Sequence, residues 1–192
     1  MKLKRAISLF TAVAMSAALL TSCGKGDVEI PDGMKLVESE FVDYRFFVPN
    51  DWITDITTGV LTAKTGDNSN VSIQTMNPSG SYKSADDYFR NDYFAKVQST
   101  FQNVVLIEEE CSTENQKFGK SEAPCVKYVY TVESDGATYK LLQYFTYYSG
   151  YLYIFTYTAQ ISETDANGNV KELDYFADHL EEVSEIVKNF LF

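Results

Sequence analysis

Residues 126–159, VKYVYTVESDGATYKLLQYFTYYSGYLYIFTYTA, decide the fold class of this chain. Three runs rich in β-branched and aromatic residues are separated by two short breaks, 134–136 and 149–150. The Asp-Gly pair in the first break is typical of a tight hairpin turn, so the runs are predicted to form a three-stranded antiparallel meander. Both faces of the last two runs are apolar or aromatic, which places these strands in the middle of a sheet that is covered on both sides.

Two amphipathic helices are predicted outside the meander. The first begins with Ser84 as its N-cap, has acids in its first turn and runs through Gln102, and the second spans about residues 171–189. Apolar residues recur at helical spacing in both. These residues are Phe89, Tyr93, Val97 and Phe101 in the first helix, and Phe176, Leu180, Val183, Val187 and Phe190 in the second.

Shorter strands are predicted at residues 40–48, 59–65, 70–76 and 104–111. The last of them ends in the acidic run Glu108–Glu110, which we interpret as a solvated strand end rather than a cation site. The order of the elements predicts an α+β fold class: one antiparallel β-sheet flanked by helices on both faces, an α-β-α sandwich.

The composition fits one ordinary globular domain, since 45% of the 192 residues are hydrophobic and 15% are aromatic. The net charge of −11 argues against nucleic acid as a partner, because an acidic surface repels phosphate backbones. The single histidine, His179, leaves little material for histidine-based catalysis or metal binding. We predict that it is a plain surface residue of the last helix.

The N-terminus has the pattern of an export signal. Residues 1–5 are basic, residues 6–20 carry no charge, and Leu20-Thr21-Ser22-Cys23 closes the run. These four residues resemble the lipobox of bacterial lipoproteins, in which the cysteine is acylated and becomes the new N-terminus. An ordinary secretory peptide that happens to contain a cysteine is the alternative.

The lipobox resemblance implies a division of the chain and a location. Residues 1–22 are then a lipoprotein signal peptide, Cys23 is the lipidation site with diacylglycerol and a fatty acid such as palmitate, and residues 23–34 are a polar lipidated tether. Residues 35–192 form a single domain on the extracytoplasmic face of a bacterial cell membrane. After removal of residues 1–22, 13 basic and 27 acidic residues leave a net charge of −14, so the lipid is expected to anchor the protein without help from anionic lipids.

Two further cysteines, Cys111 and Cys125, lie at the end of one predicted strand and the start of the next. Antiparallel pairing of these strands would make the two residues neighbours, and an even pair in an exported protein is compatible with a disulfide. Two free buried thiols are the alternative.

Sequence motifs for catalysis are missing, and we predict no catalytic residue, no cofactor and no metal site. The chain has no Gly-x-Ser-x-Gly, no phosphate-binding loop and no His-Glu-x-x-His. Residues 165–169 alternate acids and amides like a calcium loop, but Val170 stands where that loop needs Gly and Phe176 where it needs Glu.

Residues 44–52, YRFFVPNDW, resemble the Y-x-F-x-x-P-x-x-W opening of the PsbP-like fold. Residues 150–159 resemble the penultimate strand of that fold, and residues 186–190 resemble its closing helix, so that the resemblance covers residues 35–192. It implies an α-β-α sandwich of antiparallel strands. The fold is shared with the Ran-binding Mog protein and with bacterial lipoproteins of unknown function, and therefore implies no activity. Trp52, which closes the opening motif, is predicted to be a buried core anchor rather than a ligand platform.

Nine of the fourteen tyrosines lie within residues 126–159. We interpret them as core residues with hydroxyls at the rim, while exposed rings that bind a ligand are the alternative. The favoured function is a non-catalytic, lipid-anchored envelope module that binds a protein partner not yet identified. A lipoprotein that binds a small ligand or glycan in an aromatic groove is the alternative, and a hydrolase with a carboxylate site is a third hypothesis.

Overall fold

The computed structural model describes residues 28–56, 60–77 and 82–192. The strands in these ranges are β1 (Met34–Val37), β2 (Phe46–Pro49), β3 (Ile53–Asp55), β4 (Leu61–Lys64), β5 (Asn70–Met76), β6 (Gln102–Leu106), β7 (Ser112–Phe118), β8 (Ala123–Ser134), β9 (Ala137–Tyr148), β10 (Tyr151–Thr164) and β11 (Val170–Glu172). The α-helices there are α1 (Ala85–Tyr88), α2 (Phe94–Thr100), α3 (Tyr175–Asp178) and α4 (Leu180–Asn189).

One large antiparallel sheet organises the molecule. Its strands follow the order β3-β4-β5-β10-β9-β8-β6, with β7 also paired to β8 and β11 to β10, while β1 and β2 form a separate ribbon. The predicted meander is confirmed as β8, β9 and β10, and β10 lies between β9 and β5 in the middle of the sheet. Asp135 (φ 52°) and Gly136 (φ 77°) both adopt positive φ in the first turn, as a two-residue hairpin with native twist requires.

Hydrophobic side chains form two clusters that share the central strands. Along β8, Tyr128 and Tyr130 belong to the cluster that contains the residues of α1 and α2, whereas Val129 belongs to the cluster of α3 and α4. The first cluster includes Tyr88, Phe89, Tyr93, Val97, Leu141, Phe145 and Ile154. The second includes Trp52, Leu142, Phe155, Tyr157, Phe176, Val183 and Ile186.

The first predicted helix is confirmed from its Ser84 cap to Thr100, with an interruption, but its predicted end at Gln102 is wrong, because Phe101 is extended and Gln102 begins β6. Ser84 is its N-cap and accepts a hydrogen bond from the amide of Asp87 at 3.0 Å. Between α1 and α2, the segment Phe89–Tyr93 forms a π-helical turn. This wider turn places Phe89 flat on Tyr128, with ring centroids 3.4 Å apart, and a pattern of apolar spacing does not encode such a local widening.

The second predicted helix is shorter than expected. Residues 170–172 form β11, which pairs with the end of β10, so the prediction that the helix begins near residue 171 is wrong. The side chain of Asp165 accepts the amides of Asn167 and Asn169 at 2.8 and 2.9 Å and shapes the turn that makes this pairing possible. The helix is also broken at His179 (φ −107°, ψ 3°), between α3 and α4.

Two predicted strands differ from the observed ones. The strand predicted at residues 40–48 contributes only its end to β2, because the preceding irregular segment turns Tyr44 into the core, where its hydroxyl donates to the carbonyl of Ile73 at 3.0 Å. The acidic run Glu108–Glu110 is a single 3₁₀ turn rather than the end of a strand. In this turn, Glu110 forms an ion pair with Lys140 at 2.6 Å.

Cys111 and Cys125 are free thiols, and the register separates them. Gln116 lies opposite Cys125, while the Cys111 thiol accepts the amide of Val129 at 3.4 Å. Val129 is four residues beyond Cys125 along β8, roughly 13 Å in a strand, and a disulfide needs Cα atoms within about 7 Å. The prediction that the two cysteines lie opposite each other is therefore corrected: β7 and β8 do pair, but in a different register.

Candidate functional site

Four polar and aromatic side chains meet at one corner of the sheet. The connection between β2 and β3 supplies Trp52, the β4–β5 turn supplies Asp67, and the junction of α3 and α4 supplies His179 and Glu182. The chain has no other tryptophan or histidine. We refer to these four residues as the Trp–His corner.

The β4–β5 turn fixes the direction of the Asp67 carboxylate. The turn is closed by a hydrogen bond from the Thr65 amide to the Ser69 carbonyl at 2.8 Å, and Asn68 adopts positive φ. Oδ1 of Asp67 accepts the Ser69 amide at 2.8 Å and the Thr65 hydroxyl, so that Oδ2 remains free to face His179. Burial alone would raise the pKa of Asp67, but hydrogen bonds from Thr65, Ser69 and His179 lower this pKa to about 2.

His179 lies between two carboxylates. Its Nε2 is 2.9 Å from Oδ2 of Asp67, and its Nδ1 is 2.7 Å from Oε2 of Glu182, one turn further along α4. Burial acts to lower the pKa of His179, but the hydrogen bonds to the two carboxylates outweigh it, so the pKa is raised. The prediction that His179 is a plain surface residue is wrong, because the helix break turns its side chain inward and leaves it only 20% exposed.

Trp52 is the buried aromatic member of the corner. Its amide donates to the carbonyl of Pro49 at 3.1 Å, and this turn brings the indole over the sheet, where it is 1% exposed. The indole Nε1 donates to Oε2 of Glu182 at 3.3 Å, the same oxygen that faces His179. The prediction that Trp52 is a buried core anchor is confirmed.

The geometry of the corner limits its chemistry. A general base needs a ring nitrogen that is free to accept a proton from a substrate, but both nitrogens of His179 face carboxylate oxygens. In this arrangement neither ring nitrogen is free to act as such a base. Across the described ranges, no three His, Cys, Asp or Glu side chains come together in a way that could hold a metal ion.

No sequence pattern indicates this corner. Asp67 and His179 are 112 residues apart, and neither lies in a motif. The one usable signal was that Trp52 and His179 are each unique in the chain, which does not indicate contact.

The tyrosines are core residues. All fourteen lie in the described ranges, and each is buried or half-buried. Several hydroxyls find internal partners: Tyr130 donates to Gln143 at 2.9 Å, Gln143 donates to the Tyr93 hydroxyl at 2.8 Å, and Tyr153 donates to Asp43 at 2.8 Å. This supports the interpretation of the tyrosines as packing residues rather than as an exposed platform.

A cleft of about 290 Å³ lies where the described chain begins. Its lining is formed by Glu29, Ile30, Pro31, Asp32, Lys120 and Asn189. It contains no aromatic ring and is mostly polar, so it does not have the character of the aromatic groove that the alternative function requires.

The predicted lipidation site, Cys23, and the signal peptide at residues 1–22 lie outside the described residues. Among the helices within residues 28–56, 60–77 and 82–192, none combines the length and the apolar character needed to cross a bilayer.

Comparison with known proteins identifies the fold. No family model and no curated protein matches the chain. The solution structure of cyanobacterial PsbP from Synechocystis sp. PCC 6803 matches 90% of this chain and 99% of its own, with 16% identity and a TM-score of 0.54. A crystal structure from Bacteroides thetaiotaomicron matches 77% of this chain at 13% identity and a TM-score of 0.45, and the chain spans only 44% of that protein.

The chain therefore has a PsbP-like fold, as the resemblance of residues 44–52 implied. The match covers almost the whole cyanobacterial protein, but an identity of 16% establishes the fold alone.

Proposed function

We propose that this protein is a non-catalytic module, held by lipid at Cys23 on the extracytoplasmic face of a bacterial cell membrane, which binds a protein partner in the envelope. The observation that carries the proposal is the position of the lipobox-like sequence Leu20–Cys23. It ends eleven residues before Met34, where the first strand begins, so a lipid on Cys23 would keep the folded domain next to the bilayer.

The Trp–His corner supports the absence of catalysis. It contains the only histidine of the chain, and both nitrogens of this ring are occupied by Asp67 and Glu182. The tyrosines, which are the most abundant aromatic residues, contribute to packing and hydrogen bonding inside the domain. A protein whose polar side chains are used to hold the fold fits an accessory role better than an enzymatic one.

The layered arrangement is part of the proposal. We infer that α1 and α2 cover one face of the sheet and that α3 and α4 cover the other. Successive side chains of a strand point to opposite faces, and Tyr128, Val129 and Tyr130 alternate between the two clusters that contain these helices. An experimental structure in which both pairs of helices lie on the same face would contradict this inference.

Metabolic labelling with an alkyne analogue of palmitate tests the anchor. The wild-type protein is expected to incorporate the label and to sediment with membranes. Cys23→Ala should lose both properties or remain as uncleaved precursor. Cys111→Ala is the matched control, since it removes a thiol from the folded domain, and it should be labelled like the wild type. Full labelling of Cys23→Ala would contradict lipidation at this site.

Photo-crosslinking in cells tests the protein partner. A photoreactive residue is placed in turn at Phe41, Ile53, Val105 and Val170, which are 57–77% exposed apolar positions on different parts of the surface. At least one position should give a discrete adduct that is lost when Cys23→Ala releases the protein from the membrane. If none of the four positions gives a discrete adduct, the partner-binding part of the proposal is contradicted.

A further inference from the structure

The carboxylates on either side of His179 require a particular protonation state of the ring. A neutral imidazole donates from one nitrogen and presents a lone pair at the other, whereas imidazolium donates from both. At 2.9 Å from Asp67 and 2.7 Å from Glu182, a neutral ring would direct a lone pair at one of the two carboxylate groups. When both carboxylates are ionised, only the protonated ring donates a hydrogen bond to each of them.

We propose that protonated His179 is a pH-sensitive latch that holds the β4–β5 turn against the junction of α3 and α4. Asp67 belongs to the turn and Glu182 to α4, so the ring joins two elements that are far apart in the chain. Loss of the proton removes one of these hydrogen bonds and the charge attraction to both carboxylates. The turn is the expected site of opening, because Asp67 is its contact with the ring.

The other titratable groups of this corner are compatible with the latch. Asp67 of the turn and Glu182 of α4 face the ring. Tyr157 of β10 interacts electrostatically with both of them and with Asp178 of α3, and Lys35 of β1 reaches the backbone of Trp52. Tyr157 donates its hydroxyl to the carbonyls of Tyr175 and Phe176 at 3.0 and 3.1 Å, and burial raises its pKa well above the ordinary value, so it remains neutral. Lys35 binds the carbonyl of Trp52 rather than either carboxylate.

The sign of the pH dependence follows from the direction of the shift. The pKa of His179 is raised in the folded protein, so its contribution to stability is complete below the ordinary histidine value of about 6.5. That contribution is lost as the pH rises through the raised folded-state value. Each unit by which the folded-state pKa exceeds the unfolded one makes opening about tenfold easier after deprotonation. The ring is 20% exposed, which gives the proton a route to solvent without global unfolding.

The titration can be followed without ambiguity because the chain has one histidine. The carbon-bound ring protons of His179 are followed by NMR as the pH is raised, and amide hydrogen exchange is followed at Ser69, whose amide binds Asp67. We expect His179 to titrate above 6.5. Exchange at Ser69, corrected for its intrinsic pH dependence, should accelerate across that titration by about tenfold for each pH unit by which the titration lies above 6.5. His179→Gln should remove this acceleration. Lys188→Gln, an exposed change on the same helix, should retain it.

A second variant keeps the test decisive if His179→Gln does not fold. Asp67→Asn retains the turn but removes one of the two negative charges next to the ring. It should therefore move the His179 titration to lower pH. A wild-type titration at or below 6.5, an unchanged titration in Asp67→Asn, or persistence of the Ser69 transition in folded His179→Gln would each overturn the latch. None of these outcomes bears on Cys23, so the latch and the proposed function are tested separately.

Discussion

Trp52 and His179 lie edge to face, with ring centroids 5.8 Å apart and an interplanar angle of 84°. Both rings direct a nitrogen to the same oxygen of Glu182. Trp52, the last residue of the opening motif, is thereby joined to the break between α3 and α4. Segments near the start and near the end of the domain therefore meet at the Trp–His corner. Substitutions there should affect the stability of the whole domain.

Removal of the Trp52 indole should strongly destabilise the protein. Trp52→Ala leaves a cavity in the core and an unmatched Glu182, and it should lower the free energy of unfolding by about 3–5 kcal/mol. Chemical denaturation followed by circular dichroism measures the loss, since the variant has no tryptophan. Ile53→Ala is the matched control, because this neighbouring side chain is 59% exposed, and it should stay within about 0.5 kcal/mol of the wild type. Equal effects of the two substitutions would contradict the role of Trp52 as a core anchor.

Asp67 should make the stability of the protein depend on pH in the acidic range. Because its folded-state pKa is lowered to about 2, its contribution is present above the ordinary aspartate value of about 3.9 and is lost as the pH falls towards about 2. Asp67→Asn should therefore be less stable than the wild type near neutral pH, and the difference should shrink in acid. Thermal unfolding between pH 2 and pH 7 measures this. Glu109→Gln, an exposed neutralisation elsewhere, should show no such convergence, and a pH-independent effect of Asp67→Asn would contradict the prediction.

Gln143 is the centre of a buried polar network. Its side chain accepts the Tyr130 hydroxyl and donates to the hydroxyls of Tyr93 and Thr156, each at 2.8–2.9 Å, and it is fully buried. Gln143→Leu should destabilise the protein by about 1–3 kcal/mol for each hydroxyl that remains without a partner. Urea denaturation gives the value, with the exposed Gln102→Leu as control. If Gln143→Leu left the free energy of unfolding unchanged, the hydroxyls of the network would have found other partners without loss of stability.

The free state of Cys111 and Cys125 can be checked directly. Alkylation of the unfolded protein without reductant should modify both residues, because the register of β7 and β8 holds them apart. Peptide mass spectrometry reports each site, and the same reaction after reduction provides the reference. Recovery of a peptide pair joined by a Cys111–Cys125 bond would show that the register of β7 is wrong.

The parts of the fold that sequence predicted are those encoded locally. The break at residues 134–136 specifies a hairpin because Asp135 and Gly136 tolerate positive φ, and Ser84 marks a helix start because its side chain can cap an amide. The break at His179 is different. There His179 contacts Asp67 and Trp52, which come from distant parts of the chain. The apolar spacing of Phe176 and Val183 continues across the break as though the helix were unbroken.

The cysteines illustrate the same limit. A turn near Gly119 predicts that β7 and β8 pair. Their register, however, depends on irregularities between Ser112 and Gln116 that no residue pattern predicts. The Trp–His corner could not be predicted at all, since its carboxylates are two among 27 acidic residues.

The most direct test of the proposed function is the intact mass of the protein extracted from membranes of cells that express the full-length chain. We expect a polypeptide that begins at Cys23 and carries diacylglycerol on its thiol, with the additional mass absent from Cys23→Ala. A soluble polypeptide with an unmodified Cys23, or one that is cleaved elsewhere and lacks lipid, would contradict it.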